Sequence, residues 1–166
     1  MNKPPLLSLA LALIGPLAAC SSHAVPDEAR PYVEALRSCE SMELFAIDPS
    51  SGYDAPVEAP DRLRGCRVLG QASVAGAAER GEIARLVAEG IARSDGSLAH
   101  CFLPRHGLRV RSATGVHELV VCYECLTVQA WAPGATTAVT LPTANSVEPE
   151  LTALYERLGL KISGRE

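Results

Sequence analysis

The chain is short of aromatic residues, of basic charge and of long apolar runs, and each shortage excludes something. Only 4% of its 166 residues are Phe, Trp or Tyr, so the interior has to be built mainly from aliphatic and small side chains. Fifteen basic residues stand against 19 acidic ones, whereas a nucleic-acid surface needs a basic excess. The stretch Leu6 to Ile14 covers nine residues, well short of the roughly 20 that a membrane-crossing helix requires. Motif signatures are missing too. There is no HExxH helix, no GxSxG elbow, no Walker loop and no GxGxxG turn. Asp48, Asp54, Glu58 and Asp61 share a loop but lack calcium-loop spacing. Covalent c-type haem needs CxxCH, and Leu126 stands where the histidine would be.

The N-terminus carries the most specific signal. Asn2 and Lys3 precede the apolar stretch, Gly15-Pro16 breaks it, and Leu17-Ala18-Ala19-Cys20 reads as a lipobox. The expectation is cleavage before Cys20, removal of 1–19 as a signal peptide, and a covalent lipid on the Cys20 thiol. A further acyl group such as palmitate on the new amine gives the multi-chain anchoring that holds stably. Lipoboxes are bacterial, and Ser21 is not the Asp that tends to retain such proteins at the inner membrane. The expected place is therefore the cell envelope, lipid-anchored to the outer membrane and facing the periplasm. Residues 20–30 read as a short tether and 31–166 as one globular domain, long enough for a real core.

Along that domain, Pro31 suits the first turn of a helix running to about Cys39. Met42 to Ile47 reads as a strand with Phe45 and Ile47 on one face and Leu44 on the other. Three prolines and Ser51-Gly52 mark Asp48 to Asp61 as a loop, and Leu63 to Val74 reads as a second strand. Glu79 to Arg93 is the clearest helix: Ile83, Leu86, Val87, Gly90 and Ile91 make one stripe, with charges opposite. From Gly107 the period becomes two, and Val116 to Trp131 reads as a hairpin or three-strand meander. Asn145 or Ser146 is placed to cap a last helix that Gly159 ends. The expected fold is α+β, a small antiparallel β-sheet with helices packed on one face.

With Cys20 assigned to lipid, Cys39, Cys66, Cys101, Cys122 and Cys125 remain. Disulfides are the default in an oxidising compartment, and five thiols leave one over. Cys39 and Cys66 are candidates for a structural disulfide worth about 3–4 kcal/mol, although either could instead bridge into the later cluster. Cys101, His106, Cys122 and Cys125 match the ligand types of a Cys3His zinc site. That needs a tight turn at Tyr123-Glu124, because in a continuous strand residues three apart face opposite ways. A redox reading also exists, yet oxidoreductases place CxxC at a helix N-terminus, and β-formers follow Cys125. Arg105, Arg109 and Arg111 could make a basic row for a phosphate, carboxylate or lipid headgroup, or a solvated face with local pairs. His100 and His117 read as surface or loop residues, and Trp131 as a packing residue.

Five pieces resemble a family of exported bacterial proteins: Glu43-Leu-Phe-Ala-Ile-Asp48-Pro49, Val68-Leu69-Gly70, Cys101-Phe-Leu-Pro104-Arg105-His106-Gly107-Leu-Arg109, Leu119-Val-Val-Cys122-Tyr-Glu-Cys125-Leu, and the closing Leu-Tyr-Glu-Arg-Leu-Gly-Leu. The third and the Cys122–Cys125 pieces are the specific ones. Position 123 is Tyr where the pattern tends to Phe. The resemblance implies a shared fold and no particular reaction. The first functional reading is a non-enzymatic binding or structural component, partnered by the membrane and by an envelope protein or small ligand. A metal-binding protein is the second reading, and a thiol-redox protein the third.

Overall fold

The computed structural model describes residues 24–51 and 59–164. Cys20, the 1–19 segment, Asp54 and Glu58 lie outside the described residues. Three helices, α1 (Arg30–Arg37), α2 (Ala77–Ala92) and α3 (Glu148–Arg157), accompany seven strands. The strands are β1 (Ser41–Ile47), β2 (Arg62–Leu63), β3 (Cys66–Ser73), β4 (His106–Ser112), β5 (Gly115–Cys122), β6 (Thr127–Trp131) and β7 (Val139–Pro142). They form one antiparallel sheet in the order β2-β3-β1-β4-β5-β6-β7. The fold is α+β, as the patterning implied.

Strand alternation sorts the core into two. Leu44, Leu108, Val110, Leu119, Val121 and Val128 face the helices and pack with Leu36, Ile83, Leu86, Val87, Leu151 and Tyr155. All three helices therefore cover one face. Phe45, Ile47, Leu63, Cys66, Val120 and Trp131 make a smaller core on the other face. The domain also starts earlier than the sequence suggests. A 3-10 turn at Asp27–Ala29 leads into α1, and Ala29 is fully buried.

The α2 stripe is buried as its spacing required. Its outer face carries Arg85 with Glu82 and Glu89, and Arg93 with Glu89, exposed pairs worth little each. No side chain caps α3. Instead a 3-10 turn at Asn145–Val147 leads in, with Pro149 in the first turn. Its end is a Schellman motif: Leu160 N–H donates to Tyr155 O at 3.0 Å and Gly159 N–H to Glu156 O at 2.9 Å.

The stretch read as one strand from Leu63 is a hairpin. Arg64 and Gly65 both have positive φ, 51° and 84°, and Leu63 pairs with Cys66 across them, the arrangement of a two-residue type I′ turn. This hairpin ends one side of the strand order, yet Arg64 at its tip reaches Glu118 on β5 and Trp131 on β6. It also donates to Ala135 O beyond β6 at 3.2 Å. The sheet curls so that the tip of this hairpin approaches β5 and β6. Gly107 makes the curl possible, since a Cβ there would stand 2.5 Å from Leu63 Cδ2 and 2.8 Å from Ile47 Cδ1.

Candidate functional site

β5 and β6 join through a four-residue turn, Tyr123–Leu126, closed by the Cys122–Thr127 pair. Leu126 takes a left-handed conformation (φ 53°) that turns the chain back into β6. Neighbouring segments hold the turn: Ala99 N–H donates to Cys125 O at 3.0 Å, Thr127 Oγ1 to the same carbonyl at 2.8 Å, and Thr143 N–H to Leu126 O at 2.9 Å. The turn brings both sulfurs of the CxxC together, as a continuous strand could not. Cys122 and Cys125 are disulfide-bonded, with Cα atoms 5.2 Å apart, inside the usual disulfide range.

Cys101 completes the cluster. It lies in the segment between α2 and β4, is exposed, and carries a free thiol. Its Sγ is 2.9 Å from Cys125 Sγ. Cys122 and Cys125 are 1% and 0% exposed, so the cluster meets solvent through Cys101. Two backbone donors point at the sulfurs: Leu103 N–H at Cys125 Sγ (3.4 Å) and Cys125 N–H at Cys122 Sγ (3.2 Å).

His106 does not join them, which corrects the Cys3His expectation. Strand parity turns it with Leu108 and Val110 toward the helices. There its Nε2 meets Thr152 Oγ1 at 3.0 Å, and its ring sits edge-on to Tyr123 and Tyr155. With Cys122 and Cys125 bonded to each other, no group of three or more His, Cys, Asp or Glu among the described residues is placed to hold a metal ion. The expected Cys39–Cys66 bond is also corrected. Both thiols are free, because Cys39 packs against the helical-side core and Cys66 within the opposite one. Burial pushes the Cys66 thiol up to about 11. Burial likewise raises the Cys39 thiol, against a smaller opposing effect of Arg80.

The basic row is dispersed. Arg105 pairs with Glu124 at 2.8 Å and donates to Ser163 O at 2.8 Å. Arg109 pairs with Glu118 at 2.7 Å and with Glu43 at 3.5 Å, and Arg111 is exposed. Glu118 also receives Arg64 as an ion pair, although no acceptor is aligned with the buried Arg64 Nε–H for a hydrogen bond. Beside this network a cleft of about 560 Å³ opens, lined by Phe45, Arg62, Arg64, Gln71, Arg109 and Glu118 among others. Each guanidinium there already has a partner, Arg62 donating to Gly65 O at 2.6 Å. The network reads first as the clasp that holds the β2–β3 hairpin over the sheet.

His117, expected at the surface, is 3% exposed against Tyr32. Its Nε2 meets Thr114 Oγ1 at 2.9 Å while Nδ1 is buried without a partner, and burial lowers its pKa. Its alternation with Leu119 and Val121 was the signal available in the sequence. No helix among the described residues is long and apolar enough to cross a membrane. Comparison with protein-family models, with curated proteins and with solved structures finds no match.

Proposed function

We propose that the chain is a lipid-anchored protein of the bacterial envelope that works by thiol–disulfide exchange at Cys101, Cys122 and Cys125. One observation carries the reading: the exposed Cys101 thiol stands 2.9 Å from Cys125 Sγ, beside the buried bond from Cys125 to Cys122. The lipobox supports the location, and the two specific pieces of the exported-family resemblance are the segments that meet in the cluster. Among the three functions read from the sequence, this geometry with the Cys122–Cys125 bond closed favours the thiol-redox one over metal binding and over a purely structural role.

The chemistry balances without an outside oxidant. Cys101 as thiolate attacks Cys125 Sγ, the Cys122–Cys125 bond breaks, and the electron pair leaves on Cys122, which takes up a proton. The disulfide has then moved from a buried pair to one that includes an exposed sulfur. A partner thiolate attacks Cys101 Sγ, giving a mixed disulfide and releasing Cys125. A second partner thiol resolves it, leaving the partner oxidised and this chain reduced. The Leu103 N–H aimed at Cys125 Sγ stabilises charge on that sulfur as it departs.

The test is the rate at which the oxidised full chain oxidises a dithiol peptide, compared with Cys101→Ser. The variant is expected to keep the Cys122–Cys125 bond and lose exchange. An unchanged rate in Cys101→Ser would remove the proposal.

A further inference from the structure

We infer that reduction of the Cys122–Cys125 bond turns the same cluster into a three-sulfur site for one thiophilic d10 cation, Zn²⁺ or Cu⁺. The inference does not depend on the exchange reading, because a dithiol or a phosphine that opens the bond, itself leaving as a disulfide or a phosphine oxide, would create the site.

Three arrangements support it. First, the sulfurs are already gathered on one side of the turn, with Cys101 Sγ 2.9 Å from Cys125 Sγ and Cys125 bonded to Cys122. Ligands about 2.3 Å from a tetrahedral ion are roughly 3.7 Å from one another, so Cys101 and Cys125 must part by about 0.8 Å and the opened Cys122–Cys125 pair by about 1.6 Å, within reach of side-chain rotation. Second, the backbone supplies N–H donors to two of the three sulfurs, from Leu103 to Cys125 and from Cys125 to Cys122. Such donors offset thiolate charge and orient the ligands, as the outer shell of a metal site does. The left-handed Leu126 lets the chain wrap around the sulfurs and still enter β6.

Third, the frame does not depend on the disulfide. Ala99, Thr127 and Thr143, from three segments of the chain, donate to the carbonyls of Cys125 and Leu126. The turn therefore has reason to keep its shape once the covalent link opens. Three thiolates with no free carboxylate select soft cations over Mg²⁺ or Ca²⁺. The adjacent Glu124 is engaged by Arg105. Because Cys101 is exposed, the outer side of the ion faces solvent, where a water or an incoming donor takes the remaining position.

The experiment starts from the full chain reduced without oxygen by a trialkylphosphine. The phosphine gives its electron pair to the disulfide and leaves as phosphine oxide. Water supplies the oxygen and the two protons that the new thiols take. After the phosphine is removed, Zn²⁺ is added in one arm and Cu⁺ in the other, each against a competing chelator. Native mass counts bound ions, and alkylation mapping finds protected thiols.

The expected result is one ion per chain, with Cys101, Cys122 and Cys125 protected until a stronger chelator is added. The arm with the tighter competition identifies the ion. Affinity should fall at least about tenfold in Cys101→Ser, since losing a ligand costs no less than losing its supporting shell. Cys39→Ser should bind like the wild type, and the oxidised chain should bind none. No uptake by the reduced chain overturns the inference, as does equal uptake in Cys101→Ser or loss of far-UV circular dichroism on reduction. Uptake without peptide exchange would leave this site standing and remove the exchange reading, and exchange without uptake would do the reverse.

Discussion

Gly107→Ala tests whether the sheet curls as described. The added Cβ would stand 2.5 Å from Leu63 Cδ2, 2.8 Å from Ile47 Cδ1 and 3.2 Å from Phe45 Cβ, where carbon contacts prefer about 3.5–4.0 Å. Leu63 and Ile47 are 1% and 0% exposed, so neither has open space to enter. Overpacking of this kind costs about 1–3 kcal/mol. Replacing glycine inside a strand returns about 0.5–1 kcal/mol, leaving a net loss near 1–2 kcal/mol. For a domain of this size that is roughly 4–8 °C in Tm. The assay is thermal unfolding of the full chain, of Leu63→Ala, and of the double variant. Leu63→Ala alone leaves a cavity costing about 2–5 kcal/mol, which the new methyl partly fills. The double variant should therefore lose less than the sum of the singles by about 1 kcal/mol. An unchanged or raised Tm in Gly107→Ala, or strict additivity, would refute the packing of Leu63 over Gly107.

Three further outcomes are expected. His117 is buried and its pKa lowered, so the fold favours its neutral form while the unfolded chain protonates near 6.5. Its stabilisation is present above that value and is lost as pH falls toward the depressed folded pKa. Tm measured between pH 7.5 and 5.5 should therefore fall less steeply in His117→Gln, and equal slopes would exclude this role. Cys66, with its thiol pushed up to about 11, should resist iodoacetamide at pH 8 until the protein is denatured, whereas Cys101 reacts natively. Early labelling of Cys66 would contradict its buried place. Tyr155→Phe removes the hydroxyl that donates to Gly107 O at 2.7 Å in the interior, while the strand pairing of Gly107 remains. A loss of about 0.5–1.5 kcal/mol in denaturant unfolding is expected, and a neutral effect would contradict a contribution from this bond.

Much of the frame was legible because periodicity and burial agree. The α2 stripe, the split of Phe45 and Ile47 from Leu44, the β4–β6 meander and the Gly159 stop all follow from local pattern. The β2–β3 hairpin did not, since its turn is Arg64-Gly65 rather than Asn-Gly, and the left-handed Arg64 is held by distant contacts with Glu118 and Trp131. β7 escaped as a short strand ending in Pro142. At the site, sequence singled out Cys101, Cys122 and Cys125 but not the bond between the last two. The CxxC turn depends on Leu126 taking a conformation that glycine usually takes. The approach of Cys101 depends on the path of the α2–β4 connection. His106 looked like a fourth ligand by spacing alone, but its parity with Leu108 and Val110 already pointed it toward the helices. Cys39 and Cys66 could not be separated without knowing that they border opposite faces of one sheet.

The most direct test of the exchange account is the disulfide content of the full chain held at pH 8, quenched in acid, digested and mapped by mass. Two bonded forms are expected, Cys122–Cys125 and Cys101–Cys125, with only the first present in Cys101→Ser. Cys101 recovered as a free thiol in every wild-type molecule would contradict the account.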